Sequence, residues 1–194
     1  MSEAVRADRR RHILGVGIAT LDLVNEVDGY PQEDAEVRAI SQRRRLGGNV
    51  ANTLGVLAQL GHACTWCGTL GGDDGAREIL AGLNARGIDA GPCVRHPGGA
   101  TPTSYVTLSR ATGSRTIVHH RNLPELTAGD FAAVDLTGRD WVHFEGRAPT
   151  ETAAMLRRCA TDRPGLPVSV EIEKPRDGIE APVSYTHLRA HETS

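Results

Sequence analysis

The sequence predicts an α/β fold: a doubly wound, mainly parallel sheet with a small second sheet set over one end as a lid. Three observations carry that prediction. Short apolar strands alternate with amphipathic helices along most of the 194 residues, the rhythm of a parallel sheet built through helical crossovers. A strand over residues 36–44 and a hairpin over residues 103–120 interrupt that rhythm, as a separate small sheet would. Leu46-Gly47-Gly48-Asn49 runs directly into a helix, and open α/β sheets gather ligands where strands end and helices begin.

Taken in order, residues 13–18 read as a central strand, continuing near 21–27 after the Ala19-Thr20 break. Residues 36–44 alternate loosely, as an exposed strand does. Val50, Leu54, Leu57 and Leu60 recur at helical spacing, with Gly61 placed to end the helix. Residues 63–67 are strand-like, and 73–86 form a helix stopped by Gly87. Residues 103–109 and 114–120 are rich in β-branched side chains and flank Ala111-Thr112-Gly113, a hairpin signal. A strand at 141–145, a helix at 150–160 and a strand at 167–172 complete the pattern.

Composition narrows the function. Hydrophobic content of 39%, charged content of 24% and a net charge of −2 read as a soluble, single-domain chain. That charge gives no reason to expect nucleic acid or an acidic membrane as partner. The clusters Arg6, Arg9, Arg10, Arg11 and Arg43-Arg44-Arg45 lack the aromatic interleaving of a nucleic-acid surface and read as solvated. No apolar run approaches the length of a membrane span, and Asp22 interrupts the apolar stretch that a secretory signal would need. The expected location is therefore the cytoplasm. Cys64 and Cys67 have C-x-x-C spacing but lie on a strand, so they read as buried reduced thiols, and no metal site is expected.

The glycine-asparagine turn carries the chemistry. Glycine lets the backbone approach a ligand, and a helix start offers unpaired N–H groups. Asn49 and Asn52 are i,i+3 neighbours, so their amides can share one face. Each amide both donates and accepts, which suits a ligand made of hydroxyl groups. Ordinary helix capping is the alternative reading of the same residues.

Beyond that turn, several segments match a known family: Gly15-Val16-Gly17 through Leu21-Asp22, Tyr30-Pro31 to Asp34, Ser41-Gln42-Arg43, Arg115-Thr116-Ile117-Val118, Leu123-Pro124, Asp135-Leu136-Thr137, Glu145-Gly146-Arg147 and Val170-Glu171-Ile172-Glu173-Lys174-Pro175-Arg176. The chain resembles the ribokinase-like (PfkB) carbohydrate kinases, and within them the ketohexokinase (fructokinase) branch. The resemblance implies transfer of a phosphoryl group from ATP, with Mg²⁺, to a hydroxyl of a ketose such as fructose. It implies that Asp22, Gly48, Asn49 and Asn52 hold the sugar, with Asp34 reaching sugar bound in a partner subunit. Arg115, Glu145, Arg147 and Lys174, with Glu171 and Glu173, would face the nucleotide. The lid, over about 34–45 and 102–121, would be a β-clasp that excludes water and can pair two subunits.

Two features depart from the family. Its general-base aspartate lies on a Gly-Ala-Gly-Asp type segment, and no Gly-x-Gly-Asp occurs in these 194 residues. The run from Val183 to Ser194 resembles a translated sequencing adapter and is set aside from the fold, with His187 and His191 too few to bind a metal. Residues 12–182 then read as the sugar-holding part of a kinase domain, inactive by itself. Another sugar or nucleoside kinase, a sugar-binding or dimerising module without catalysis, and a fragment that does not fold stably are the alternatives.

Overall fold

A computed structural model describes residues 10–183 and 188–191. Arg6, Arg9, His187 and residues 184–186 and 192–194 lie outside the described residues. Chain order is β1 (His12–Val16), β2 (Thr20–Val27), β3 (Ser41–Gly47), α1 (Asn49–Gln59), β4 (Ala63–Cys67), β5 (Thr69–Leu70), α2 (Asp74–Ala85), β6 (Ile88–Asp89), β7 (Val94–Arg95), β8 (Thr103–Ser109), β9 (Arg115–His120), α3 (Ala128–Phe131), β10 (Trp141–Glu145), α4 (Pro149–Asp162), β11 (Val168–Ile172), α5 (Glu180–Val183) and β12 (Leu188–His191).

The main sheet has the order β12-β11-β10-β1-β4-β6, and every pairing in it is parallel. Strand β1 is central because it alternates between two apolar layers. Leu14 and Val16 join Val142, Phe144, Val168, Val170 and Leu156 of α4 on one face. Ile13 joins Trp66, Val50 and Leu54 of α1 and Ile79 and Leu83 of α2 on the other. Burial on both faces is the doubly wound arrangement. Gly15 lets α1 close on the sheet, since a Cβ there would stand 2.7 Å from side-chain atoms of Leu54 and Val50.

A second sheet, in the order β3-β2-β8-β9, forms the lid. Two expectations change here. Residues 21–27 do not continue the central strand. Gly17 N–H donates to Cys67 O and Ile18 N–H to the Glu145 carboxylate, which ends the parallel ladder, and the chain turns away to start the lid. The strand expected over residues 36–44 begins only at Ser41. Ser41 pairs with Glu26, next to the end of β2 at Val27, and Ile40 N–H donates to Glu26 O, so residues 36–39 have no strand opposite to hold them extended. The remaining elements form close to where their periodicity puts them, and Gly61, Gly87 and Gly113 take positive φ at their turns.

Backbone residues 188–191 add a parallel strand to the open edge of β11, whose unpaired N–H and C=O groups template any extended segment. Cys64, Cys67, Cys93 and Cys159 are free thiols, and burial pushes the Cys67 thiol up to about 12 and Cys64 to about 11. No described helix is long and apolar enough to cross a membrane.

Asp73 ties lid to body. Its carboxylate caps α2 through Ala76 N–H at 3.1 Å and receives Thr101 N–H at 2.8 Å, with the Thr101 hydroxyl bonded to it as well. Burial works to raise this carboxyl, but the Thr101 and Ala76 bonds outweigh it and hold the group below its usual value of 3.8. A depressed carboxyl stabilises the fold above its unfolded pKa, and the contribution fades as pH falls through the native value. Asp73→Ala is expected to cost about 1–2 kcal/mol at neutral pH in urea melts. The gap to wild type should narrow below about pH 4; a constant gap would show that the charge contributes nothing.

Candidate functional site

Four connections join the lid to the body, at Gly17–Ala19, Gly47–Gly48, Thr101–Pro102 and Arg121–Asn122, and the site lies among them at the carboxyl ends of β1, β10 and β11. Asp22 is half-buried on β2, accepts the Thr20 hydroxyl at 3.0 Å and lies against Gly47. A Cβ on Gly47 would come 2.3 Å from Asp22 Oδ2, so glycine is what lets the carboxylate rest there. Gly48 follows at φ 98, and a Cβ on it would meet Ile18 O at 2.4 Å. Gly48 caps α1 without any side-chain hydrogen bond, leaving the first-turn N–H groups without a side-chain acceptor beside Asp22.

The two asparagines part company. Asn49 donates from Nδ2 to Glu171 Oε1 at 2.8 Å, which fixes its amide toward β11. Asn52 is exposed and accepts from Arg86 Nη1 at 3.3 Å, while the same guanidinium donates to Leu46 O. Residues at i,i+3 differ by about 60° around a helix, and here each finds a partner on its own flank. Asn49 therefore stands with Asp22 and the helix N–H groups, whereas Asn52 braces the turn from outside.

Beside this turn lies a chain of buried charge. Glu145 is 7% exposed. It accepts Ile18 N–H at 3.1 Å and pairs with Arg147 at 3.3 Å. Arg147 pairs in turn with Glu125 at 3.0 Å, and Glu125 with Arg121. Burial raises the Glu145 carboxyl despite Ile18 and Arg147. Glu125 is held low: burial opposes ionisation there, but the two guanidinium groups prevail. The cluster lines a cavity of about 20 Å³ with Thr69 and Thr152, enough for about one water. A larger groove of about 550 Å³ lies at the opposite, amino ends of β1, β10 and β11, remote from the glycine turn.

The other expected residues are more dispersed. Lys174 follows β11, exposed, 3.9 Å from Glu173. Asp34 occupies an exposed turn at φ 62, ahead of β3. Arg115 pairs with Leu108 near the hairpin turn, at the far end of the lid from the Asp22 row. The basic groups at the strand ends are instead Arg121, Arg147 and Lys174, which all bear on the titration of His119. Arg121, Glu125 and His119 belong to no motif, and their pairing depends on the loop after β9 folding back onto β10. Among the described residues, no group of three or more His, Cys, Asp or Glu could hold a metal ion.

A parallel doubly wound sheet, a four-stranded lid and a glycine turn at a helix start between them define a class of lidded α/β proteins. The sequence pattern of the pfkB family carbohydrate kinases matches residues 10–163, and the chain belongs to that family. Ketohexokinase of Mus musculus is 40% identical over 182 residues, covering 90% of this chain and 61% of the mouse protein. The ribokinase of Thermotoga maritima superposes with a TM-score of 0.70 at 21% identity, over 91% of this chain and 57% of that one. The Arabidopsis thaliana ribokinase complexed with ribose and ATP gives 0.69 at 19%, over 84% and 54%. At those identities the likeness is one of fold.

The glycine turn yields a direct comparison. Gly61, at φ 93 with nothing within 4 Å of a would-be Cβ, should lose about 1–2 kcal/mol on mutation to alanine, from backbone strain alone. Gly48→Ala adds the collision with Ile18 O and should lose clearly more in the same urea titration. Equal losses would mean that the turn has room to spare.

Proposed function

We propose that this chain is the sugar-holding part of an ATP-dependent kinase that phosphorylates a hydroxyl of a ketose such as fructose, acting in the cytoplasm. The observation that carries this reading is the convergence of Asp22, Gly47, Gly48 and Asn49 under the lid, in a chain 40% identical to a ketohexokinase. The Asp22 carboxylate accepts from two neighbouring hydroxyls, and Asn49, oriented by Glu171, supplies a further polar contact. The first N–H groups of α1 donate to sugar oxygens. Closure of the lid over these groups removes water from the acceptor hydroxyl.

In phosphoryl transfer most of catalysis is positioning and charge stabilisation. Arg121, Arg147 and Lys174 lie at the strand ends beside the sugar turn, each ion-paired with a carboxylate, Glu125, Glu145 or Glu173, and guanidinium and ammonium groups suit the phosphates of ATP. What this chain's own residues supply is the sugar site, the orientation of the sugar and those groups at the strand ends. The lid also exposes the cross-strand pair Tyr105 and Val118, at 51% and 65%, on the face opposite to Ser104 and His119. Two copies pairing through their lids would cover this apolar surface.

A second reading is a sugar-binding module without turnover. Calorimetric titration with fructose, beside a coupled ADP-release assay, separates the two. Binding is expected, with Asp22→Asn and Asn49→Ala each weakening it about tenfold or more, and no ATP turnover is expected from this chain by itself. Failure of the wild-type chain to bind any sugar overturns the reading. Robust turnover would show that the base is supplied from within these residues.

A further inference from the structure

The lid's strand register lines up polar groups that the sugar-binding turn does not use. Asp22 on β2 is paired with Ser104 on β8, and Ser104 with His119 on β9. Cross-strand partners point to the same face of a sheet, so the three side chains form one row with Arg45 of β3, the partner of Asp22 on its other side. The Ser104 hydroxyl and His119 Nδ1 are 3.1 Å apart, which confirms the shared face. Each strand-to-strand step is about 4.8 Å, so the row runs roughly 10 Å from Asp22 to His119. A hexose hydrogen-bonded at both ends covers that span.

The chemistry of the pair suits a hydroxyl ligand. Ser104 is buried, 9% exposed, whereas His119 lies on a strand whose residues are all exposed. With Nδ1 engaged by Ser104, Nε2 is the ring nitrogen available to a ligand. The Ser104 hydroxyl can donate or accept, so the ring can settle in either tautomer and offer Nε2 as acceptor or donor. The imidazole is held below its usual range by burial and by Arg147, Arg121 and Lys174, against the opposing pull of Asp22. That direction favours the neutral imidazole, the form that both gives and takes a hydrogen bond. Register places His119 level with Asp22 in the lid, at the end of β9 that leads to Arg121.

We propose that Ser104 and His119 form a second, lid-borne hydroxyl-binding pair that grips the end of the acceptor sugar remote from Asp22 and so selects among polyols. The proposal rests on the sugar-binding reading above and names the residues that set specificity within it. A purely structural role for the pair, pinning β8 to β9, would leave ligand preference unchanged.

The experiment is calorimetric titration of the 194-residue chain with fructose and with deoxyfructoses that lack one hydroxyl at a time. Wild type is compared with His119→Leu, His119→Gln and Ser104→Ala, with Asn49→Ala as the binding control. His119→Leu is expected to weaken fructose binding about tenfold, the cost of one hydrogen bond, and His119→Gln to recover most of it. One deoxysugar should bind wild type about tenfold more weakly than fructose, yet bind His119→Leu no worse than fructose does. If His119→Leu does not fold, Ser104→Ala and the histidine imidazole NMR shifts of the wild-type chain under fructose decide the matter. Unchanged affinity and unmoved imidazole signals overturn the proposal. Full fructose affinity in His119→Leu, with affinity lost in Asn49→Ala, overturns the lid pair and leaves the sugar reading standing. No binding of any sugar by the wild-type chain overturns both, through the sugar reading itself.

Discussion

The buried carboxylate of Glu145 is the group on which the site depends. It sits at the end of β10 and takes the Ile18 N–H at 3.1 Å, where β1 would otherwise extend its ladder. A Cβ on Gly17 would stand 2.7 Å from that carboxylate, so the turn and the acid fit one another tightly. Because the hydrogen bond goes to a side chain, the backbone is free to leave the main sheet and start the lid. A buried carboxylate is costly unless paired. Arg147 supplies the pair, and through Glu125 it also reaches Arg121 at the exit of the lid. Entry to the lid and exit from it are thus held by one continuous run of alternating charge.

The glycine turn hangs from the same frame. Gly48 lies against Ile18 O, the carbonyl of the residue whose N–H Glu145 holds. Moving Ile18 would move the start of α1, the first-turn N–H groups and Asn49 with it. Asp22 follows four residues later on β2, tied to Thr20 and resting on Gly47. Rigid placement of this kind is what the proposed sugar site would require, because a sugar offers many similar hydroxyls and discrimination comes from fixed positions. The lid is tied at a further corner by Asp73 and Thr101, so the sheet that carries Ser104 and His119 is positioned as firmly as the turn beneath it.

Membership of the pfkB family carbohydrate kinases and the parallel core were both legible in the sequence, because each depends on local patterns. Apolar strands alternating with helices, and Leu46-Gly47-Gly48-Asn49 at a helix start, are short-range signals. The positions of Asp22 after the first strand and of Asn49 at the helix start follow from the same short-range signals. The expectation that the Asn49 and Asn52 amides act together was a local inference too, and Arg86 and Glu171, both distant in sequence, divide them. Residues 21–27 read as a continuation of the central strand because nothing near them in sequence announces that Cys67 and Glu145 will end the ladder at Gly17 and Ile18.

By itself, the sequence determined the alternation of strands and helices, the glycine turn and the identity of the groups in it. Backbone propensity and apolar periodicity act over a few residues and are written there. Only the tertiary structure decided that β2 belongs to the lid, that residues 36–39 stay outside the strand ladder, and that Arg115 stands at the far end of the hairpin. It also decided the Arg121–Glu125–Arg147–Glu145 run and the Asp22–Ser104–His119 row. These are facts of register and of contact across long loops. A shift of one residue in strand pairing would turn each such side chain to the other face, and no local pattern in the chain records which pairing wins.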